Sequence, residues 1–203
     1  MIRLEMMIMP YPKGHKERVR GLILASAAKA FRTNGVRDIS VPAVMKGAGL
    51  THGGFYSYFK SKDQLILESC KAAVDETIEV LTKVAEEAAG ESRVDAVIDY
   101  YLSPLHRDNA ETGCIFPAIS GEIMHLSREV RDEVTVQLER IIDFLSQLAN
   151  ISKSAANALF SLMLGTIVLA RSVSDPDLSD SLLDSGRRHA RNLLLSSRNS
   201  NLA

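Results

Sequence analysis

Residues 40–59 read SVPAVMKGAGLTHGGFYSYF, a pattern that predicts two short helices separated by a glycine-containing turn. Ser40 is suited to cap the first helix, because its hydroxyl can accept a backbone N–H bond, and Pro42 is tolerated in a first helical turn. Gly49 suits the left-handed backbone of a tight turn, and Thr51 is placed to cap the second helix. This spacing is that of a helix-turn-helix motif.

The second predicted helix carries side chains suited to a nucleic acid. Phe55 and Phe59 stand four residues apart and are expected to face inward. The first residues of the helix are expected to contact bases, while the tyrosines and lysines supply donors for phosphate oxygens. The candidate DNA-binding residues are Ser40, Thr51, His52, Gly53, Tyr56, Tyr58, Lys60 and Lys62. An ordinary helical hairpin with solvated tyrosines is the alternative.

A resemblance to the TetR family of transcriptional regulators rests on residues 27–66, which read AAKAFRTNGVRDISVPAVMKGAG and then LTHGGFYSYFKSKDQLI. The chain departs from the family pattern at Phe55, where a small or aliphatic residue is usual, and at Tyr58, where histidine is frequent. The resemblance implies an all-helical homodimer with an amino-terminal DNA-binding domain and a carboxy-terminal domain that binds an inducer and dimerises. Carboxy-terminal sequences in this family diverge widely, so no inducer is implied.

The charge distribution is strongly asymmetric although the net charge is only −1. Residues 1–62 hold 11 Lys+Arg and 3 Asp+Glu, and the remainder holds 13 and 22, which gives a net +8 and −9. A basic amino-terminal segment on an acidic body is the electrostatic footprint of a polyanion-binding protein. The alternative is that the asymmetry arises by chance on solvated faces and has no role in binding. Here, however, the positive charge coincides with the helix-turn-helix.

Composition and length favour a soluble helical protein of the cytoplasm. The chain has 203 residues, 46% of them hydrophobic, which is enough for a sizeable core. Its two cysteines give no disulfide framework. No apolar run approaches the roughly 20 residues of a membrane-spanning helix, and the first residues lack the pattern of a secretory signal. Met9 offers a second plausible start.

Apolar spacing of three to four residues predicts an all-α fold in two parts. We expect a flexible arm over residues 1–12, a three-helix helix-turn-helix domain over 13–61, and a larger helical ligand-binding and dimerisation domain over 62–203. A first helix ends at Gly35, and a long connecting helix begins after Ser61 and ends at Gly90. The stripe of the first helix is Val19, Leu22, Ile23, Ala27, Ala30 and Phe31.

The last two predicted helices bear on the oligomeric state. Residues 155–173 are apolar on nearly every face, and Gly165 permits close approach of another helix. Residues 177–195 carry a one-sided apolar stripe. Paired across a two-fold axis, these segments would form a four-helix interface. The alternative is that the first of them is the central core helix of a monomer.

Aromatic and soft apolar residues around the irregular stretch HRDNAETGCIFPAIS predict a small-molecule pocket. The candidate ligand-binding residues are Tyr100, Tyr101, His106, Cys114, Phe116, Phe144, Phe160 and Met163. Cys114 precedes a predicted helix, where backbone amides favour a thiolate, so we expect a small apolar or electrophilic inducer sensed in part by this residue. The alternative is that Cys114 is only a small, buried hydrophobic residue with no role in sensing. Cys70 is expected to be an unreactive thiol.

Other chemistries find little support in the sequence. The segment GAGLTHGG lacks the third glycine and the preceding strand of a dinucleotide-binding site. His106, Cys114 and His125 match no standard metal-site spacing. We therefore expect no metal, no cofactor and no catalytic activity, with duplex DNA carrying an inverted repeat, a small inducer and a second copy of the chain as partners. The competing hypothesis is a helical ligand-binding or catalytic protein whose basic segment holds another partner.

Overall fold

The computed structural model describes residues 14–88 and 92–200, the side chains of 198–200 excepted. Over these residues the chain is all-helical, which confirms the predicted fold class. The α-helices are α1 (His15–Asn34), α2 (Val41–Gly47), α3 (Lys62–Glu87), α4 (Arg93–Tyr101), α5 (Pro104–Asp108), α6 (Phe116–Ile123), α7 (Arg128–Ala149), α8 (Lys153–Ser172) and α9 (Pro176–Ser200). Two 3-10 helices, His52–Ser57 and Ala110–Thr112, precede α3 and α6. The predicted arm over residues 1–12 and the predicted helix end at Gly90 lie outside the described residues.

Helix α1 forms because one stripe of its side chains is apolar and buried. Val19, Ile23 and Phe31 lie in this stripe at multiples of four residues. Gly35 ends the helix with φ +73°, and its N–H donates to the Phe31 carbonyl at 2.9 Å, as predicted. The prediction for Leu22 was wrong: its side chain is 52% exposed, because it points to the flank of the stripe.

Helix α3 connects the amino-terminal helices to the rest of the chain. Ser61 caps it, with its hydroxyl accepting from Gln64 N at 3.1 Å, while the Gln64 side chain accepts from Lys60 N at 2.7 Å. This differs from a standard capping box by one residue. Helix α3 packs against α1, α4 and α7, so it shares buried surface with both halves of the chain. Its buried apolar residues include Ile66, Cys70, Ala73 and Leu81, spaced three to eight residues apart on the face that packs inward.

The middle of the chain is more regular than the sequence indicated. Pro104 stands in the first turn of α5, and the Ser103 hydroxyl caps this helix by accepting from His106 N at 3.1 Å. The irregular stretch therefore contains α5 and a short 3-10 helix before α6 begins at Phe116. Ser127 caps α7, with its hydroxyl accepting from Val130 N at 3.4 Å.

Helices α8 and α9 pack on each other more extensively than any other pair of elements in the described residues. Gly186 is buried, and a Cβ there would lie 2.6 Å from the methyl of Thr166, so glycine allows the two helices to approach closely. Helix α8 has 20 residues and is long and apolar enough to cross a membrane by length and composition alone, so the expectation that no apolar segment approaches this length was wrong. It contacts α6, α7 and α9, and residues such as Leu159 and Ile167 are buried, as in the core helix of a helical domain. Its opposite face leaves Leu169 54% exposed.

Candidate functional site

The turn between α2 and the 3-10 helix His52–Ser57 has the predicted geometry. Ser40 caps α2 by accepting from Ala43 N at 3.3 Å. Gly49 adopts φ +73°, a conformation that favours glycine. Leu50 is half-buried beneath the turn, and its N–H donates to the Met45 carbonyl at 2.9 Å. These bonds set the direction in which the next segment leaves α2.

The predicted second helix is shorter and tighter than expected. It is a 3-10 helix that ends at Ser57, not an α-helix that runs to Phe59, and Thr51 makes no side-chain capping bond. Two glycines in succession, Gly53 and Gly54, weaken the α-helical preference of a segment this short. The backbone amides of Tyr58 and Phe59 both donate to the Phe55 carbonyl, at 2.9 and 3.0 Å. The prediction of a capped α-helix was therefore wrong, although the segment remains helical.

Two phenylalanines hold the 3-10 segment against the core. Phe55 and Phe59 are each 1% exposed, with ring centroids 5.7 Å apart, which confirms that they face inward. The Arg20 guanidinium lies 4.4 Å from the centre of the Phe59 ring. The same guanidinium makes a bidentate ion pair with Glu68 of α3. The segment is therefore tied to both α1 and α3.

The predicted DNA-binding residues share this surface, with two differences in exposure. Ser40, Thr51, His52, Gly53, Tyr56 and Lys60 are exposed, and Tyr56 is 73% exposed. Tyr58 is half-buried and packs against the core. Lys62 was expected to be exposed, but it is half-buried and its ammonium donates to the Arg37 carbonyl at 3.3 Å. The two residues lie at the rim of the surface, and their role in DNA binding stays a prediction.

A carboxylate from α6 holds the loop between α1 and α2. One oxygen of Glu122 accepts from the backbone amides of Val36 and Arg37, at 2.7 and 3.0 Å. A Cβ on Gly35 would collide with this carboxylate, so the glycine also makes room for the contact. Sequence reasoning missed Glu122, since its partners are backbone amides more than 80 residues away. The contact connects the larger domain to the loop that precedes the turn motif.

The predicted ligand-binding residues do not enclose one cavity. Tyr100, Tyr101, His106 and Cys114 surround a space of about 10 Å³, which is roughly room for one water. Phe160 packs edge-on against Tyr101 and against Phe116, with centroids 6.3 and 5.9 Å apart. Met163 is buried, and Phe144 is half-buried against the core. These side chains form a packed aromatic cluster, and ligand binding by them stays a prediction.

His106 is the centre of that cluster and is held as the neutral imidazole. Its Nδ1 lies 2.6 Å from the Tyr101 carbonyl, and its Nε2 accepts from Cys114 N at 3.1 Å. A carbonyl only accepts and an amide only donates, so the two contacts require the tautomer protonated at Nδ1. Burial lowers the pKa of His106 to about 4. Arg171, which lies on α8, joins this hydrogen-bond network by donating to the His106 carbonyl at 2.6 Å.

The thiol of Cys114 is less acidic than the sequence suggested. Cys114 is 3% exposed, and burial raises its pKa, although contacts with Tyr101 and the Phe116 amide act in the opposite direction. The Tyr101 hydroxyl is buried beside it and makes no hydrogen bond to any of the described residues. The expectation that helix amides favour a thiolate was therefore wrong, because desolvation is the larger effect. Cys70 is buried as well, and burial raises its pKa to about 12, as expected of an inert thiol.

A larger cavity of about 370 Å³ opens between α6, α7 and α8. Its lining is mostly apolar, with Phe116 the one predicted pocket residue among its walls. Arg131, Ser120 and Thr135 are its polar groups. A signal for this site is present in the sequence, because residues 131, 134, 135 and 138 fall on one helical face that combines a cation and a hydroxyl with apolar side chains.

The described ranges contain no group of three or more His, Cys, Asp or Glu residues that could hold a metal ion. A second, polar cavity of about 300 Å³ lies near the α8–α9 link, and Arg107, Asp108 and Ser179 are among its walls. The Arg107 guanidinium already donates to Asp108, to Ser179 and to Asp180 beside the cavity. Two candidate sites are therefore left: a donor-rich surface on the helix-turn-helix and an apolar cavity in the larger domain.

Comparison with known families agrees with this arrangement. Residues 23–69 match the family described as bacterial regulatory proteins, tetR family, and residues 90–185 match the family described as tetracyclin repressor-like, C-terminal domain. The chain belongs to the TetR family of transcriptional regulators. Regulators of this family bind operator DNA and are not enzymes, which confirms the expectation that the chain has no catalytic role.

Individual relatives are distant. The chain is 28% identical over 100 residues to the uncharacterized HTH-type transcriptional regulator YfiR of Bacillus subtilis, a match that covers 49% of this chain and 48% of YfiR. It is 27% identical over 131 residues to the HTH-type transcriptional repressor NemR of Escherichia coli, covering 62% and 64%. The aligned parts therefore span about half to two thirds of these relatives. The crystal structure of reduced E. coli NemR superposes with a TM-score of 0.71 at 22% identity, over 86% of this chain and 96% of that one, which shows a shared fold.

Proposed function

We propose that this TetR-family chain is a repressor that binds an inverted-repeat operator as a homodimer in the cytoplasm and is released by a small, apolar or electrophilic inducer. The observation that carries DNA binding is the exposure of the 3-10 segment. Its hydroxyl and imidazole donors face solvent while Phe55 and Phe59 anchor it. The basic charge of residues 1–62 supports the same conclusion.

Within this proposal the donors divide by role. Thr51 and His52, at the start of the segment, contact base edges, and Gly53 lets the backbone approach the groove. Hydroxyls and ammonium groups along the rim contact phosphates and set the register of the protein on the duplex. The phosphate contacts are assigned to Ser40, Tyr56, Tyr58, Lys60 and Lys62.

A salt series on wild type and two lysine variants tests the DNA-binding role. Lys60→Ala should weaken binding to all duplexes about equally and reduce the slope of log K against log[salt] by about one unit. Lys83→Ala is the matched control, because Lys83 is exposed on α3 about 32 Å along the helix from Lys62. If Lys60→Ala changed the preferred sequence and left the slope intact, the phosphate role of this lysine would be wrong. If wild type did not bind duplex DNA at any salt concentration in the series, the DNA-binding proposal itself would fail.

The exposed faces of α8 and α9 support the homodimer. Leu169 of α8 is 54% exposed and Leu195 of α9 is 59% exposed, and nothing lies within 4 Å of a Cβ built on Gly165. A two-fold pair of these faces would cover this apolar surface. Such a dimer should need half-sites about one helical turn apart, ~34–36 Å, in an inverted repeat. Full-affinity protection of a single half-site would contradict it.

The electrophilic alternative for the inducer depends on Cys114. The relative NemR has been crystallised in a reduced form, which makes thiol chemistry worth testing here. Burial of Cys114 and its raised pKa favour a reversible pocket ligand instead. Operator release by alkylating agents should therefore be the same in wild type and in Cys114→Ser. A release that disappears in the variant would establish the thiol as the sensor.

A further inference from the structure

The cavity between α6, α7 and α8 has the walls of an aliphatic-chain site. Its apolar lining comes from all three helices: Phe116, Ile123, Met124, Val134, Leu138 and Leu164. Its volume of about 370 Å³ lies within the range of about 300–1,000 Å³ found for small-molecule pockets. Met124 is 69% exposed, so an apolar ligand would cover surface that water now contacts.

The polar groups of this cavity present one free positive charge. The Ser120 hydroxyl donates to the Phe116 carbonyl at 2.7 Å, and the Thr135 hydroxyl donates to the Arg131 carbonyl at 2.9 Å, so both donors are used within their own helices. The Arg131 guanidinium is exposed and has no hydrogen-bond or ion-pair partner among the described residues. Among the residues that the structure describes, no carboxylate lines the cavity.

An unpartnered guanidinium beside an apolar cavity selects a particular class of ligand. Guanidinium binds carboxylates through a planar pair of N–H donors, and such charge-assisted bonds are stronger than neutral ones. A neutral apolar molecule would cover the apolar walls but leave the Arg131 guanidinium without a partner. A small anion would meet the cation but leave the apolar walls exposed to water. An amphiphile with an anionic head satisfies both parts.

We propose that this cavity binds a single-chain amphiphile with an anionic head, whose carboxylate meets Arg131 and whose aliphatic chain lies against α6 and α8. The proposal deepens the proposed function, since it names the chemical class of the inducer and rests on ligand-responsive DNA binding for its biological role. Helix α6 lines the cavity and also carries Glu122, the residue that holds the loop at residues 36–37.

Direct binding of decanoate and of decanol, measured by calorimetry on the full chain, tests the ligand class without DNA. Wild type should bind decanoate about two- to fivefold more tightly than decanol, because an ion pair with an exposed guanidinium contributes up to about 1 kcal/mol. Arg131→Gln should lose that preference while it still binds decanol. Arg128→Gln removes the same charge from α7 at an exposed position outside the cavity, so it should keep the preference.

Each alternative outcome has a separate meaning. Equal affinity for acid and alcohol in wild type, or an unchanged preference in Arg131→Gln, overturns the proposal. So does a Met124→Asp variant that becomes monomeric while wild type is dimeric, since the cavity face would then be a contact between two copies.

A second measurement, operator release by decanoate, separates this inference from the proposed function. Release in wild type that is lost in Arg131→Gln supports both. Decanoate binding with the expected preference in a protein that does not bind duplex DNA supports the site and overturns the proposed function. Strong DNA binding without any affinity for decanoate or its C6–C16 homologues overturns the site alone.

Discussion

Replacement of Glu122 by glutamine should loosen the loop between α1 and α2. One carboxylate oxygen accepts from the backbone amides of Val36 and Arg37, at 2.7 and 3.0 Å. Glu122→Gln keeps an acceptor of nearly the same shape but removes the negative charge that strengthens both bonds. The substitution therefore tests the charge of the contact and leaves the packing of α6 intact.

The magnitude follows from the bonds that are weakened. A hydrogen bond to a charged group contributes roughly 1.5–3 kcal/mol, against about 1 kcal/mol for a neutral one. Val36 is buried, whereas Arg37 is exposed and its bond competes with water. We therefore expect the free energy of unfolding to fall by about 1–3 kcal/mol in total, which for about 200 residues lowers Tm by roughly 2–7 °C.

Amide hydrogen exchange measures the effect at the contact itself. The amides of Val36 and Arg37 should exchange faster in Glu122→Gln than in wild type, while amides in the middle of α7 stay unchanged at the same temperature. Glu86→Gln is the control, because Glu86 is exposed and has no hydrogen bond or ion pair among the described residues. Equal exchange at Val36 and Arg37 in wild type and Glu122→Gln would refute the assignment.

The buried His106 network leads to two further predictions. The pKa of His106 is lowered to about 4 from an ordinary value near 6.5, so its contribution to stability is present above about pH 6.5 and is lost as pH falls toward 4. Urea unfolding should show an acid-dependent loss of about 2–3 kcal/mol between pH 7 and 4.5 in wild type that His106→Gln lacks, and equal losses would contradict the network. Gly113→Ala places a Cβ against the His106 ring and should lower stability by about 1–3 kcal/mol. Gly121→Ala, with open space around its Cβ, should not destabilise, and equal unfolding midpoints for the two variants would contradict the clash.

Local chemistry explains why the turn motif could be predicted from sequence. The Ser40 cap, the left-handed Gly49 and the inward-facing Phe55 each depend on residues within a few positions of one another. The α or 3-10 form of the second segment was predicted wrongly, because Gly53 and Gly54 leave local preference weak and packing decides the form. Side chains chosen by periodicity were mostly buried as expected, and Leu22 shows the limit of that method at the edge of a stripe.

Long-range contacts explain what the sequence could not predict. Glu122 acts on amides at residues 36–37, and His106 depends on Tyr101, Cys114 and Arg171 from three separate elements. The acidity of Cys114 was misjudged for the same reason. Proximity to a helix start is visible in sequence, whereas burial depends on what the rest of the chain places around the thiol.

The energies at α6 are large enough for the regulation proposed here. An inducer that weakens operator binding 10- to 100-fold must supply a coupling free energy of about 1.4–2.7 kcal/mol. The charge of Glu122 alone contributes a similar amount to the contact with residues 36–37, about 1–3 kcal/mol, and loss of the whole contact on ligand binding would cost at least as much. Helix α6 has only eight residues, with Ser120 and Ile123 at the cavity and Glu122 between them at the loop. A shift that relieves contacts on the cavity side must therefore move the carboxylate as well, because a helix of two turns is displaced as a unit.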